Sequence, residues 1–246
     1  MLEPVTESLT PEMAAQHHRA IEPAPDATAL PDLLLLERAR GKEVRAFETL
    51  MRRYNQRLFR IARSIVADGN IAETVVEEAY LLAFSDIERY EPTGKFAAWL
   101  ARLAFNQALA QRRTIRPSSI AAAAEPARSE LASSGVSPAD AHNEAPSSRQ
   151  LLEHRIDELP EVFRTVLVLR TIEGISGIET AACLGINETT VRTRLYRAQR
   201  RLRIDWSQHA AAERSELFEL TVNRGDLIVN RVLSRLNGAS HSQQEC

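Results

Sequence analysis

The amino-acid sequence predicts an all-α protein of two small helical domains joined by a flexible linker. Composition is the first reason, because the 246 residues include only 9 glycines and 5% aromatic side chains, which favours helices over sheets. Periodicity is the second, since apolar residues recur at three- and four-residue spacing in two blocks of the chain. The third is a Ser-, Ala- and Pro-rich stretch over 117–149, which separates those blocks and is typical of a linker.

The first block predicts a compact helical domain over 31–116. An acidic segment over 1–30, rich in proline and alanine, precedes it and is predicted to be disordered. The four predicted helices cover about 33–40, with Gly41 as a left-handed end, and about 43–67, 71–85 and 95–113. A turn at Asp68-Gly69-Asn70 separates the second helix from the third. Four helices joined by short loops are typical of a compact bundle.

The second block predicts a helix-turn-helix domain over 150–204. Ala181, Gly185 and Val191 have the spacing that this motif requires, namely a small residue where two helices cross, a glycine in the turn and an apolar anchor in the second helix. A C-terminal extension over 205–246 follows. It is predicted to contain an amphipathic helix whose apolar face is formed by Ile228, Val229, Val232, Leu233 and Leu236.

The second helix of the motif is strongly basic in a chain whose net charge is −2. Six arginines lie between Ile186 and Ile204, and no acidic residue follows Glu188 until Asp205. An ordinary solvated helix usually interleaves acidic residues for ion pairing, so the pattern favours DNA binding in the major groove. The predicted outward face consists of Thr189, Arg192, Thr193, Tyr196, Arg197 and Arg200.

The fourth helix of the first domain offers a weaker indication of nucleic-acid binding. An aromatic stripe that includes Trp99 adjoins a flank of Arg102, Asn106 and Arg113. Such a surface could stack and hold single-stranded bases. A Trp/Phe stripe at helical spacing is more often core, and that alternative stays open.

The third helix is predicted to turn three carboxylates outward, those of Glu73, Glu77 and Glu78. They have no histidine, cysteine or metal-ligand partner in register, so they do not resemble a catalytic site. They form either an ordinary solvated face or a negative ridge for a basic partner.

No pattern in the sequence indicates an enzyme, a metal site, a cofactor or a small-molecule substrate. Cys183 and Cys246 have neither CxxC spacing nor nearby histidines. The N-terminus has no basic and apolar regions of a secretory signal, and no run of about 18 apolar residues occurs. These features predict a protein of the cytoplasm.

Both blocks resemble the extracytoplasmic-function sigma factors of bacterial RNA polymerase. Region 2 of that family is similar to AFETLMRRYNQRLFRIARSIVADGNIAETVVEEAYLLAF and FAAWLARLAFNQALAQRR, and region 4 is similar to IDELPEVFRTVLVLRTIEGISGIETAACLGINETTVRTRLYRAQRRLR. The resemblance implies a non-catalytic protein that binds core RNA polymerase at the β′ clamp helices and the β flap. It also implies binding and melting of promoter DNA, and restraint by an anti-sigma factor.

The resemblance further implies roles for individual residues. Binding to core polymerase would use Glu73, Val76, Glu77 and Glu78. Recognition of the melted minus-ten element would use Tyr90, Trp99, Arg102, Asn106, Arg112 and Arg113. Recognition of the minus-thirty-five element would use Thr189, Thr190, Arg192, Thr193, Tyr196, Arg197 and Arg200. Thr180 departs from the family, which usually has an apolar residue at that position.

The linker length bears on how both promoter elements would be reached. Elements about 17 base pairs apart lie about 58 Å apart along the duplex. The 33 residues of the linker reach at most about 110 Å when extended but span about 32 Å as a flexible coil. A partner is therefore expected to hold the linker extended.

Two alternatives to a sigma factor remain open from the sequence. One is a stand-alone helix-turn-helix regulator that binds operators without polymerase. The other is a sigma mimic that sequesters an anti-sigma factor without touching DNA, although the intact arginine face and Asn106 argue against it.

Overall fold

The computed structural model describes residues 30–90, 96–115, 147–203, 214 and 216–242. Within those ranges every regular element is a helix, which confirms the predicted all-α class. In chain order they are α1 (Asp32–Arg40), α2 (Val44–Val66), α3 (Gly69–Asp86), α4 (Phe96–Ile115), α5 (Ser148–Asp157), α6 (Glu161–Leu167) with a following π-helical turn (Val168–Ile172), α7 (Gly177–Leu184), α8 (Glu188–Leu202) and α9 (Val222–Ser242). The segments predicted to be disordered over 1–30 and to form a linker over 117–149 lie outside the described residues, except for Leu30 and 147–149.

The end of α1 differs from the prediction by one residue. Gly41 has an ordinary φ of −70°, and the left-handed residue is Lys42 with a φ of 61°. The backbone N–H of Glu43 donates to the carbonyl of Arg38 at 3.1 Å. The N–H of Lys42 also donates to the carbonyl of Ala39 at 3.0 Å, and these two bonds are the usual end of a helix around a left-handed residue, one position later than predicted.

Side-chain caps set where α3 and α5 begin, in both cases two residues before the predicted boundary of the helix or of the domain. Asp68 accepts a hydrogen bond from the N–H of Ile71 at 2.9 Å, so the predicted turn residue Gly69 is the first residue of α3. Ser147 accepts from the N–H of Gln150 at 3.2 Å, and the Gln150 side chain accepts from the N–H of Ser147 at 2.9 Å. This capping box places the start of α5 inside the last residues of the predicted linker.

The core of the first domain includes the C-terminal extension as well as α1 to α4. Its fully or nearly fully buried members include Leu35, Phe47, Leu50, Leu58, Val76, Tyr80 and Leu100 from α1 to α4, and Ile228, Val229 and Val232 from α9. Leu233 and Leu236 pack against this core while only partly buried. The predicted apolar face of the extension is thus confirmed. Since burial of an aliphatic side chain stabilises a fold by about 1.5–3 kcal/mol, α9 contributes to the stability of the first domain.

The second domain has its own core and also packs against the first domain. Its core contains Ile156, Leu159, Leu167, Ala198 and Leu202, joined by Leu217 and Phe218 of the extension. A separate apolar cluster crosses between the domains. In that cluster Ile61 of α2 and Ala101 of α4 meet Leu169, Ile175 and Cys183.

Candidate nucleic-acid interface

The turn between α7 and α8 has the local geometry of a helix-turn-helix motif. Gly185 ends α7 with a φ of 65°, a conformation that glycine adopts without a steric penalty. Asn187 then caps α8, because its side-chain oxygen accepts from the N–H of Thr190 at 2.7 Å. Ser176 and Glu179 form a capping box at the start of α7. These contacts hold the first turn of α8 in a defined position beside α7.

The predicted outward face of α8 is exposed. Val191, Ala198 and Leu202 are buried on the opposite side. Tyr196 is 62% exposed, which is unusual for a tyrosine that packs in a core. The other exposed members of the face are Thr189, Arg192, Thr193, Arg197 and Arg200. Thr190 alone among the predicted contact residues of α8 is half-buried, since it lies at the capped turn.

The arginines of α8 are largely free to bind an anion. Arg192 lies 3.8 Å from Glu188 with its side chain 79% exposed, which makes a weak and solvated pair. Arg197 and Arg200 form no ion pair with any residue that the structure describes. Arg201 instead lies over the ring of Phe163, with its guanidinium 5.2 Å from the ring centroid. An exposed guanidinium without an acidic partner can hold a phosphate or hydrogen-bond guanine bidentately.

Tyr90 and the aromatic residues at the start of α4 form a cluster that is mostly core. Tyr90 is only 7% exposed and Phe96 only 4%, and burial raises the pKa of the Tyr90 hydroxyl. The Tyr90 ring centroid lies 4.8 Å from that of Trp99, which is half-buried. The role of Tyr90 at the minus-ten element stays a prediction, and in the structure its ring packs inward against Phe96 and Trp99. Trp99 keeps part of its surface exposed.

The polar flank of α4 is exposed where the sequence predicts it. Arg102, Asn106 and Arg113 are exposed, and at 100° per residue they fall within about 40° of one another. Arg112 differs, since it is half-buried and pairs with Glu161 of α6. Arg102, Asn106 and Arg113 thus form a polar strip beside the exposed part of Trp99.

The carboxylates of α3 do not form the solvated face that the sequence predicts. Glu73 and Glu77 are each only 7% exposed, and Val76 is fully buried. Glu78 is half-buried, with its side chain 43% exposed. The prediction that all three carboxylates point into solvent is therefore wrong, and the reason is that α9 packs over this side of α3.

Three arginines of α9 pair with these carboxylates. Arg231 lies 2.9 Å from Glu77 and Arg235 lies 2.8 Å from Glu78. Arg224 pairs with Glu73. The sequence analysis did not predict these three arginines as partners of the carboxylates. The pattern that indicates them is their position on one flank of α9, since at 100° per residue they fall within about 40° of one another, beside its apolar face.

Ion pairs also join the two domains. Glu173, which follows the π-helical turn, accepts from Arg57 at 3.0 Å and from Arg60 at 2.9 Å. Both carboxylate oxygens of Asp157 accept from Arg63, at 2.8 and 2.9 Å. These pairs lie between α2 and the second domain, and no sequence pattern predicted them because they join residues about 100 positions apart in the chain.

A second buried contact across this boundary uses Arg164 of α6. Its guanidinium donates to the backbone carbonyls of Ser64 at 2.7 Å and Asp157 at 2.7 Å, and desolvation lowers the pKa of the group.

In the part of the chain that the structure describes, no cluster of side chains could hold a metal ion, and no helix is long and apolar enough to cross a membrane.

Comparison with known proteins matches both domains. The Sigma-70 region 2 family matches residues 50–116, and the Sigma-70, region 4 family matches residues 149–202. The ECF RNA polymerase sigma-E factor of Escherichia coli (strain K12) is 31% identical over 175 residues, which cover 69% of this chain and 91% of that protein. The ECF RNA polymerase sigma factor SigW of Bacillus subtilis (strain 168) is 29% identical over 164 residues, which cover 64% of this chain and 87% of that protein.

The fold is also similar to a solved structure, that of CnrH in complex with the cytosolic domain of CnrY. The TM-score is 0.50 and the sequence identity 25%, over 72% of this chain and 96% of that chain.

Proposed function

The chain belongs to the extracytoplasmic-function sigma factors of bacterial RNA polymerase, and from this premise we propose how its surfaces divide the work of promoter recognition. Members of this family bind core RNA polymerase and direct it to promoters, so the function is transcription initiation. We infer that the chain acts without catalysis of its own, in the cytoplasm where the polymerase transcribes.

The second domain would read the minus-thirty-five element through α8. The observation that carries this proposal is the exposed face of α8, where Arg197 and Arg200 have no acidic partner among the described residues. Thr193 and Tyr196 lie on the same exposed face and add hydroxyl groups for bases or phosphates. The cap of Asn187 holds the start of α8 rigidly, which is what insertion of a helix into the major groove requires.

The first domain would bind the melted minus-ten element along α4. The exposed strip of Arg102, Asn106 and Arg113 offers two charges for the backbone and an amide for a base edge. The exposed part of Trp99 offers a surface on which an unpaired base can stack.

Core polymerase would dock on α3, at a surface that we call the α3 ridge and define as Glu73, Val76, Glu77 and Glu78. Its support is the concentration of three carboxylates within six residues of one helix, which suits a basic helix of a partner protein. An anti-sigma factor is a further expected partner, in line with the complex of CnrH with the cytosolic domain of CnrY.

Promoter binding would require the two domains to separate. In the structure α2 and the second domain are joined by Glu173, Asp157 and Arg164. Two promoter elements about 17 base pairs apart lie about 58 Å apart, which is much farther than two domains in direct contact can reach. Polymerase would supply the energy of separation by binding both domains.

The test is run-off transcription with purified core polymerase and a library of native promoters. The substitution Arg197→Ala should lower promoter-dependent transcription by about 5- to 150-fold, which corresponds to about 1–3 kcal/mol, if the guanidinium contacts a base. A phosphate contact would instead weaken binding to all DNA sequences about equally. The matched control is Arg155→Ala, because Arg155 is exposed on α5 and forms no ion pair with a described residue.

The outcome also separates the two rival functions. If the wild-type chain stimulated no promoter, the proposal would fail. Tight sequence-specific binding of the isolated chain to duplex DNA would favour a stand-alone regulator. Full cellular activity of an Arg192→Ala/Arg197→Ala double variant would favour a sigma mimic.

A further inference from the structure

We propose that α9 is an intramolecular occupant of the α3 ridge, so that the C-terminal extension limits the binding of core polymerase until α9 is displaced. This inference rests on the proposed function of the α3 ridge as the docking surface. Its first support is position, since the same three carboxylates that were assigned to polymerase binding are the partners of α9.

The charges of the two helices are complementary along their contact. Arg224, Arg231 and Arg235 meet Glu73, Glu77 and Glu78 in the same order along both helices. Each arginine of α9 therefore has its own carboxylate, and the basic flank of α9 matches the acidic ridge in sign and in order along the helix. Such matching is what a partner helix would have to reproduce in order to bind the ridge.

The contact also covers the ridge physically. Ile228, Val229 and Val232 are fully buried in the cluster that contains Val75 and Val76 of α3. As a result Glu73 and Glu77 keep only 7% of their surface exposed. A helix of another protein cannot contact these two carboxylates while α9 is in place.

The charged contacts of α9 are nevertheless suited to release. The pair of Arg235 with Glu78 is exposed on both sides, at 50% and 43%, and such pairs are weak because water and salt screen them. In the pair with Glu77 the Arg231 side chain is 54% exposed although the carboxylate is only 10% exposed. Because α9 is part of the same chain, its effective concentration at the ridge is high even where a pair is weak. A polymerase surface that binds the ridge strongly can thus replace it.

The extension connects release of α9 to separation of the domains. Leu217 and Phe218 belong to the core of the second domain, whereas Leu220 and the apolar face of α9 belong to the core of the first. The extension also hydrogen-bonds to α2, where Gln56 donates to the carbonyl of Phe218 at 2.8 Å and accepts from the N–H of Leu220 at 2.7 Å. Movement of the second domain away from α2 therefore pulls on the segment that precedes α9.

A purely structural role for α9 makes a different prediction. If α9 only completes the core of the first domain, then breaking its ion pairs lowers the melting temperature and leaves polymerase binding unchanged or weaker. If α9 occupies the docking surface, then breaking the same pairs strengthens polymerase binding.

The experiment measures equilibrium binding of the full-length chain to purified core polymerase by fluorescence anisotropy. The variant Arg231→Glu/Arg235→Glu leaves the ridge intact and places like charges opposite Glu77 and Glu78. If α9 occupies the ridge in about nine of ten molecules, its release should tighten the apparent affinity about tenfold. Circular dichroism verifies that the variant is folded. The variant Arg231→Gln/Arg235→Gln removes the positive charges without adding negative ones, and should therefore give a smaller gain in affinity.

Two further variants make the result decisive. Lys42→Glu/Arg45→Glu changes the net charge equally at exposed positions that form no ion pair with a described residue, and should leave the affinity unchanged. Glu77→Arg/Glu78→Arg releases α9 but reverses the ridge, and should abolish tight binding.

Each pattern of results supports or overturns the inference. Tighter binding of the α9 variants together with loss of binding by the ridge variant supports it. Unchanged or weaker binding of both α9 variants, together with loss of binding by the ridge variant, would show that α9 does not limit polymerase binding although the α3 ridge is the docking surface. Undiminished binding of the ridge variant overturns the docking surface itself, and the inference with it.

Discussion

The hydroxyl oxygen of Thr180 is fully buried in α7 and has no hydrogen-bond partner among the described residues. Burial of an unpaired hydroxyl costs about 1–3 kcal/mol in proteins. Thr180→Val, which replaces the hydroxyl by a methyl group of similar size, should therefore raise the free energy of unfolding by about 1–2 kcal/mol. Urea denaturation measures the change.

The control for this substitution is Thr74→Val. Thr74 is exposed on α3, and its hydroxyl donates to the carbonyl of Asn70 at 3.2 Å. The control should change the stability by less than about 0.5 kcal/mol. A loss of stability in Thr180→Val would show that the hydroxyl has a favourable contact in solution.

The thiol of Cys183 is the second residue with a distinct chemical prediction. Burial raises its pKa to about 12, while the nearby charge of Arg102 acts in the opposite direction. The thiol should remain protonated at pH 8 and react with a disulfide reagent far more slowly than a free cysteine, because the thiolate is the nucleophile. A Cys246→Ser variant isolates the signal of Cys183, and the same variant in denaturant provides the fast reference.

The sign of the pH effect follows from the same pKa. The unfolded thiol ionises near pH 9 and the folded thiol near pH 12, so the folded state favours the protonated form. The contribution of this thiol to the free energy of unfolding is complete below about pH 9. As the pH rises further it is lost, by up to about 1.4 kcal/mol per pH unit. A rapid reaction of native Cys183 at pH 8 would contradict both expectations.

At the scale of elements, local side chains account for where the helices begin and end. The helix-turn-helix motif was predictable from neighbouring residues alone. Its helices are capped by residue types that prefer those positions, namely Ser176 and Asn187 at the N-termini and Gly185 at the left-handed C-terminus. The left-handed Lys42 was not predictable, because lysine has no intrinsic preference for that conformation and adopts it only when the surrounding chain requires it.

The α3 and α4 helices show the limit of periodicity as a guide to exposure. A helical pattern identifies which residues share a face, and Arg102 and Asn106 are exposed as predicted. It does not reveal whether another element covers that face. Glu73 and Glu77 share a polar face of α3, yet α9 from the far end of the sequence buries them.

At the scale of the whole molecule, Glu173 is central to the contact between the domains. Its side chain is 5% exposed and pairs with Arg60, which is 6% exposed, and with Arg57. Removal of one partner of a buried pair costs about 3–5 kcal/mol because a charge stays buried without compensation. Glu173→Gln should therefore favour separated domains, and small-angle X-ray scattering should detect a larger radius of gyration.

The matched control for domain separation is Glu158→Gln. Glu158 is the C-cap of α5, and its side chain is 65% exposed and lies 3.4 Å from His154. It pairs with no described residue of the first domain. The helix content of both variants should equal that of the wild type by circular dichroism. An unchanged radius of gyration in Glu173→Gln would mean that apolar contacts such as Ile61 with Leu169 hold the domains together without the ion pairs.

The sequence by itself determined the helical class, the helix-turn-helix motif and the exposed basic face of α8, because each depends on residues within a few turns of one another. The tertiary structure alone decided that Tyr90 is core, that the domains pack through Arg60 and Glu173, and that α9 covers Glu73 and Glu77. These contacts join residues that are far apart in the chain. Local periodicity does not identify such pairs. The chain contains many arginines, glutamates and apolar residues, and only the folded structure determines which of them come into contact.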